Sequence, residues 1–247
     1  MNKTEIQDKF KKDGWCVFPI KLINESFHNF TSEHLKCNEE KNFQSLMREF
    51  RLDYDSDSIV PGQDRFDPNR EFNVSSLGYD FTDANKEKEK LYEKVKEDSI
   101  SQLWFYNNTD GDIDEFLELD AINTIKNSLT NILKYLYDYD DSVEIDHNEL
   151  QLTLYNKNCR FTPHKDNPES EYICAITIYL NENYNKDNGG LLFLDGESIT
   201  PELGTCAVMD LQTHVIEHGV TEVTGEVGRF AFISFPTFKG QKVVGIY

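Results

Sequence analysis

The chain has 247 residues and a formal net charge of −20, from 25 Lys and Arg against 45 Asp and Glu. A surface that negative repels phosphate, which excludes nucleic-acid binding through a basic face and disfavours anionic membranes. An aromatic share of 13% is too high for a chain that stays disordered, and no apolar run approaches the ~20 residues of a membrane-spanning helix.

The length suits one large domain, and no Pro/Gly/Ser-rich linker divides it. Residues 1–247 are therefore read as a single domain, with 1–147 mainly helical and 148–247 rich in strands. The opening MNKTEIQDKFKKDGW is amphipathic and lacks the apolar core of a signal peptide. Five cysteines, Cys16, Cys37, Cys159, Cys174 and Cys206, are scattered and form no CxxC. Neither a disulfide framework nor a Cys-based zinc site is expected, and a reducing, cytoplasmic setting is.

In chain order, Ile6 and Phe10 lie four apart in a charged segment and predict a helix over 4–11 that stops at Gly14. Trp15 to Phe18 reads as a short strand, and residues 22–40 as a second helix. Residues 51–80 have no period and two prolines. A stretch that irregular reads as a lid or binding loop or, equally, as a surface excursion, and it carries Arg65 and Arg70. Residues 85–100, rich in Lys and Glu, read as a solvated helix. Ile122, Ile125, Leu129, Ile132, Leu133 and Leu136 form one apolar stripe and predict a helix over 120–136. From residue 148 short strands follow: 149–155, 172–180, 190–194, 205–211, 229–235 and 242–247. Turn signals such as NENYNKDNGG and TPELG separate them, which argues for an antiparallel sandwich or barrel.

Chemistry concentrates in the strand-rich part. His164-Lys165-Asp166 places an imidazole and a carboxylate two residues apart, on one side of an extended backbone. A second histidine from another strand would complete a two-His, one-carboxylate face, the ligand set of non-haem Fe(II) oxygenases. His218 lies 52 residues after Asp166, and Arg229 a further 11 residues on, at the start of a strand. An arginine in such a site can hold a carboxylate by a two-pronged hydrogen bond. His214 is the competing histidine. His28, His34 and His147 have no partner pattern. Asn188-Gly189-Gly190 reads as a turn.

These motifs together resemble the Fe(II)/2-oxoglutarate-dependent oxygenases. YNKNCRFTPHKDNP, ITIYLNENYNKDNGGLLFL and HGVTEVTGEVGRFAF are similar to segments of their prolyl 4-hydroxylase branch, over residues 148–237. The resemblance implies a double-stranded β-helix, a jelly-roll of eight core strands with supporting N-terminal helices in an α+β fold. It implies His164, Asp166 and His218 as iron ligands and Arg229 on the distal carboxylate of 2-oxoglutarate. Tyr155 and Tyr179 stand where the family places hydroxyls near that cosubstrate. One departure is that Ala231 and Ile233 stand where the family often has Ser or Thr.

The implied cofactors are Fe(II), 2-oxoglutarate and O2, with ascorbate as a reductant. The implied reaction is hydroxylation of an unactivated C–H bond, in a prolyl residue of a peptide or protein or in a free amino acid. A small-molecule oxygenase of the same superfamily and a cupin-like metal-binding protein without oxygenase activity are the alternatives. The Arg229 spacing speaks against the cupin.

Overall fold

The computed structural model describes residues 2–39, 41–42, 53–54, 102–107, 120–165 and 171–240. The helix expected over 85–100, the strand over 242–247, and all of 51–80 except residues 53–54 lie outside them.

Helix α1 (Lys3–Asp13) starts with a capping box. Asn2 accepts from the Glu5 backbone N–H, and the Glu5 carboxylate accepts from that of Asn2. Its apolar residues Ile6 and Phe10 are buried. Helix α2 (Glu25–Phe30) is capped by Asn24. Helix α3 (Asp120–Tyr137) buries all six residues of its predicted stripe. At ~1.5–3 kcal/mol per buried aliphatic side chain, packing rather than capping holds it.

Eleven strands are described: β1 (Trp15–Pro19), β2 (Asp53–Tyr54), β3 (Gln102–Asn107), β4 (Ile145–Tyr155), β5 (Phe161–Lys165), β6 (Cys174–Tyr179), β7 (Leu192–Leu194), β8 (Glu197–Ile199), β9 (Thr205–Asp210), β10 (Glu217–Val220) and β11 (Arg229–Phe238). They form two antiparallel sheets. The larger has the order β1-β9-β6-β11-β4-β3-β2, and the smaller β5-β10-β7-β8. Strands β4 to β11 are the eight-stranded core, paired first with last: β4 with β11, β5 with β10, β6 with β9 and β7 with β8. That nested pairing is the double-stranded β-helix.

Alternation along the strands sorts the two faces of the large sheet. Leu150, Leu152, Leu154, Ile176, Ile178, Val208, Phe230 and Phe232 pack with α1 and α3 in one core. Ala175, Tyr179, Ala207, Met209 and Ala231 face the other way, into the space between the sheets, with Leu192 and Leu194 of β7.

Two expectations need correction. The helix predicted over 22–40 is broken into a 3-10 turn (Ile20–Leu22), α2, and a π-type turn (Thr31–Leu35). The Thr31 and Ser32 hydroxyls donate to the Phe27 and His28 carbonyls, competing with the backbone ladder. The Cys37 N–H then bonds Leu180 O, which ties the chain to the end of β6. Also, β2 and β3, which were not expected, extend one edge of the large sheet, while β1, read from the sequence, extends the other. Strand β3 satisfies its backbone on β4, a non-local pairing that periodicity does not reveal.

His147 joins α3 to the sheet, its two ring nitrogens 3.0 Å from the hydroxyls of Thr130 and Ser234. Burial pushes its pKa down to about 3, so it is neutral in the folded protein. Below pH 6.5 the unfolded chain binds a proton here that the folded chain refuses. Stability from this group is therefore complete above pH 6.5 and falls towards pH 3, by up to ~1.4 kcal/mol per pH unit. Urea unfolding of His147→Gln at pH 7 and pH 5 is expected to show lower stability at pH 7 and a shallower fall between the two.

Candidate active site

The site is built where β5, β10 and β11 meet the inner face of the large sheet. Strand register puts His218 of β10 directly opposite His164 of β5, with ring centroids 4.3 Å apart. Close approach of the two strands depends on Gly219. A Cβ there would lie 2.6 Å from Phe161 O and 2.9 Å from the backbone of Pro163. The two rings are fixed in the same way. His164 Nδ1 is 3.0 Å from Thr162 O, and His218 Nδ1 is 3.1 Å from Ile216 O. Opposite a carbonyl only an N–H fits, so both rings donate from Nδ1, which leaves Nε2 as the nitrogen that would meet a metal. Such outer hydrogen bonds set the tautomer of metal-binding histidines. Asp166 lies outside the described residues.

His214 is placed elsewhere. Its Nδ1 lies 2.8 Å from Oδ2 of the buried Asp210, which also accepts from the Tyr137 and Thr213 hydroxyls. Burial works against the Asp210 charge, but these donors hold its pKa below the usual carboxylate value. The cluster pins the turn before β10 to α3 and is structural.

Arg229 opens β11 opposite Tyr155, and Ala231, two residues on, sits opposite Tyr179. The guanidinium is consequently flanked by both rings, 5.1 Å from the Tyr155 centroid and 5.2 Å from that of Tyr179, within cation–π range. Arg229 is only 2% exposed, and its Nε and Nη1 have no hydrogen-bond partner. A buried cation left that way is costly unless an anion joins it. Its backbone is held on both sides by buried Asn181, which donates to Gly228 O and accepts from Phe230 N, each at 2.8 Å. Tyr155, Cys159, Phe161, Val220 and Val223 pack continuously from Arg229 towards the histidines, and Phe161 meets the His164 ring edge-on at 4.6 Å.

Sequence reasoning missed Asn181, Tyr184 and the part played by Gly190. Asn181 and Tyr184 follow β6 in a segment whose polar residues read as loop. Gly190 read only as a turn, yet it lies against Tyr184 and Arg229. All five cysteines are buried and unbridged, in line with the sequence expectation.

Solved structures with this fold include a Pseudomonas putida prolyl-4-hydroxylase. The TM-score is 0.54 at 12% identity, covering 97% of this chain and 99% of that one. A Trichoplax adhaerens prolyl hydroxylase in complex with a hypoxia inducible factor peptide fragment matches at 0.51 and 13%, covering 94% and 88%. A non-haem alpha-ketoglutarate-dependent epimerase of nogalamycin biosynthesis matches at 0.53 and 8%, covering 95% and 82%. At such identities the likeness is one of fold. No curated protein sequence matches the chain. Residues 150–235 match the family model of the 2OG-Fe(II) oxygenase superfamily. That segment holds every site residue discussed above and is similar to this superfamily, whose name specifies Fe(II) and 2-oxoglutarate. The donor chemistry fits those cofactors: two facing imidazoles anchored through Nδ1 suit Fe(II), and a buried guanidinium with two nitrogens lacking acceptors suits a carboxylate.

Proposed function

We propose that His164, His218 and Asp166 hold Fe(II), that Arg229 holds the distal carboxylate of 2-oxoglutarate beside Tyr155 and Tyr179, and that the enzyme hydroxylates an unactivated C–H bond. The observation that carries this reading is Arg229, a buried cation with two nitrogens lacking an acceptor. When bound, the iron and 2-oxoglutarate supply the oxidising power, 2-oxoglutarate leaving as succinate and CO2 as one oxygen atom passes to the substrate.

The protein's own work is placement. Backbone carbonyls orient both imidazoles, so neither spends free energy reorienting on binding the metal. The Asp166 carboxylate offsets part of the metal charge. Arg229 neutralises the far end of the cosubstrate, and Asn181 keeps that arginine's backbone in register. Ala175, Ala207 and Ala231 place small apolar side chains on the inner face.

The substrate we favour is a prolyl residue in a peptide or protein, or a free amino acid. Support comes from the motif resemblance over 148–237 and from two fold relatives that are prolyl hydroxylases. The epimerase among the fold relatives supports the second reading, a small-molecule substrate. The test is succinate release from 2-oxoglutarate with Fe(II) and ascorbate, followed by mass spectrometry of proline-containing peptides and free amino acids for gain of one oxygen atom. Turnover is expected in the wild type and not in His164→Ala. A wild type that neither binds 2-oxoglutarate nor releases succinate overturns the reading.

A further inference from the structure

Resting on the assignment of Arg229 above, we infer that Tyr184 is a cosubstrate-binding residue. Its hydroxyl, with that of Tyr179 and the Arg229 guanidinium, completes the pocket for the distal carboxylate of 2-oxoglutarate.

Tyr184 is 5% exposed and Tyr179 0%, and neither hydroxyl has a hydrogen-bond partner. A buried hydroxyl without a partner is uncommon and costs free energy, so two of them beside an unsatisfied guanidinium point at one missing acceptor. Their placement agrees. A Cβ built on Gly190 would lie 2.9 Å from the Tyr184 hydroxyl and 3.3 Å from Arg229 Cβ, so these two groups border the same point. Gly190 has φ +61, and its lack of a Cβ lets the Tyr184 hydroxyl and Arg229 approach each other there. Asn183, at φ +56, turns the chain after β6 and sets Tyr184 there. Burial raises the pKa of both phenols, that of Tyr179 to about 12, and the Arg229 charge pulls against it in each. Both therefore remain protonated donors at neutral pH.

The donors suffice for a carboxylate. A carboxylate has about four lone-pair sites. Arg229 Nε and Nη1 and the two phenols are four donor groups without acceptors. Strand β11 offers no hydroxyl beyond Arg229 on this face, since the next inward positions are Ala231 and Ile233. The hydroxyls must come from β6 and the turn after it, which is where Tyr179 and Tyr184 stand.

The test compares two ligands on the Mn(II)-loaded protein by calorimetry: 2-oxoglutarate, and 2-oxovalerate, which has the same chain length without the distal carboxylate. The wild type is expected to prefer 2-oxoglutarate strongly. Tyr184→Phe should weaken 2-oxoglutarate roughly 10- to 100-fold, the range of a hydrogen bond to a charged group, and leave 2-oxovalerate unchanged. Without ligand, its melting temperature should not fall, because no protein hydrogen bond is lost. Unchanged 2-oxoglutarate affinity in the variant, or an equal loss for both ligands, overturns the role of Tyr184. A wild type that does not discriminate overturns the Arg229 assignment itself.

Discussion

Arg229→Met is expected to abolish cosubstrate binding while leaving the ligand-free protein at least as stable as the wild type. The arginine is buried and two of its nitrogens have no acceptor, so in the ligand-free state it is a cost. Replacing a buried charge by an apolar side chain of similar volume is often neutral or stabilising. Affinity should move the other way. Removing one partner of a buried charge pair costs about 2–5 kcal/mol, roughly 30- to 5000-fold in Kd for 2-oxoglutarate. Thermal unfolding with and without 2-oxoglutarate reads both effects at once. The expected pattern is a melting temperature unchanged or raised without ligand, and no ligand-induced rise. A variant that keeps the ligand-induced rise contradicts the role given to Arg229.

The second large effect is expected at the histidine pair. His164→Ala or His218→Ala should each weaken Mn(II) binding, measured by electron paramagnetic resonance, by more than the ~100-fold that outer hydrogen bonds at metal sites account for. Succinate release should fall to background in both. His214→Ala is the internal comparison. It removes a donor from buried Asp210 and is expected to cost about 1–2 kcal/mol of stability while leaving metal affinity unchanged. Loss of Mn(II) binding in His214→Ala with retention in His218→Ala would reverse the choice between the two histidines.

Much of this architecture was legible because its signals are local. The α3 stripe has helical spacing, and β4, β6, β9 and β11 alternate or run apolar between clear turn residues. The His164 and His218 pairing was legible through spacing to Arg229. What escaped was non-local. Strand β3 exists because β4 has an edge to fill. The short strands β5 and β10 are held by partners far along the chain, β8 is the return arm of a hairpin with β7, and all three sequences are too brief to show a period. The second helix was overestimated because Thr31 and Ser32 look neutral in a pattern, although their hydroxyls loosen the ladder. Tyr184 sits among Asn and Glu residues, where an aromatic reads as incidental. Only the fold reveals that its hydroxyl is enclosed beside Arg229.

The first-with-last pairing of strands β4 to β11 also bears on how the chain folds. Among the described strands only β7 and β8 are joined by a tight hairpin. Each pair further out encloses all the strands between its members, so every successive pairing closes a longer loop, a topology of high contact order and slow folding. The two histidines face each other across the β5–β10 pair, about fifty residues apart in sequence, and closing a loop of that length is entropically unfavourable until inner pairs have shortened it. Appearance of the paired imidazoles is thus a late event. Metal uptake during refolding should lag the burial of the α3 stripe, which rests on contacts within a single helix and the sheet face beneath it.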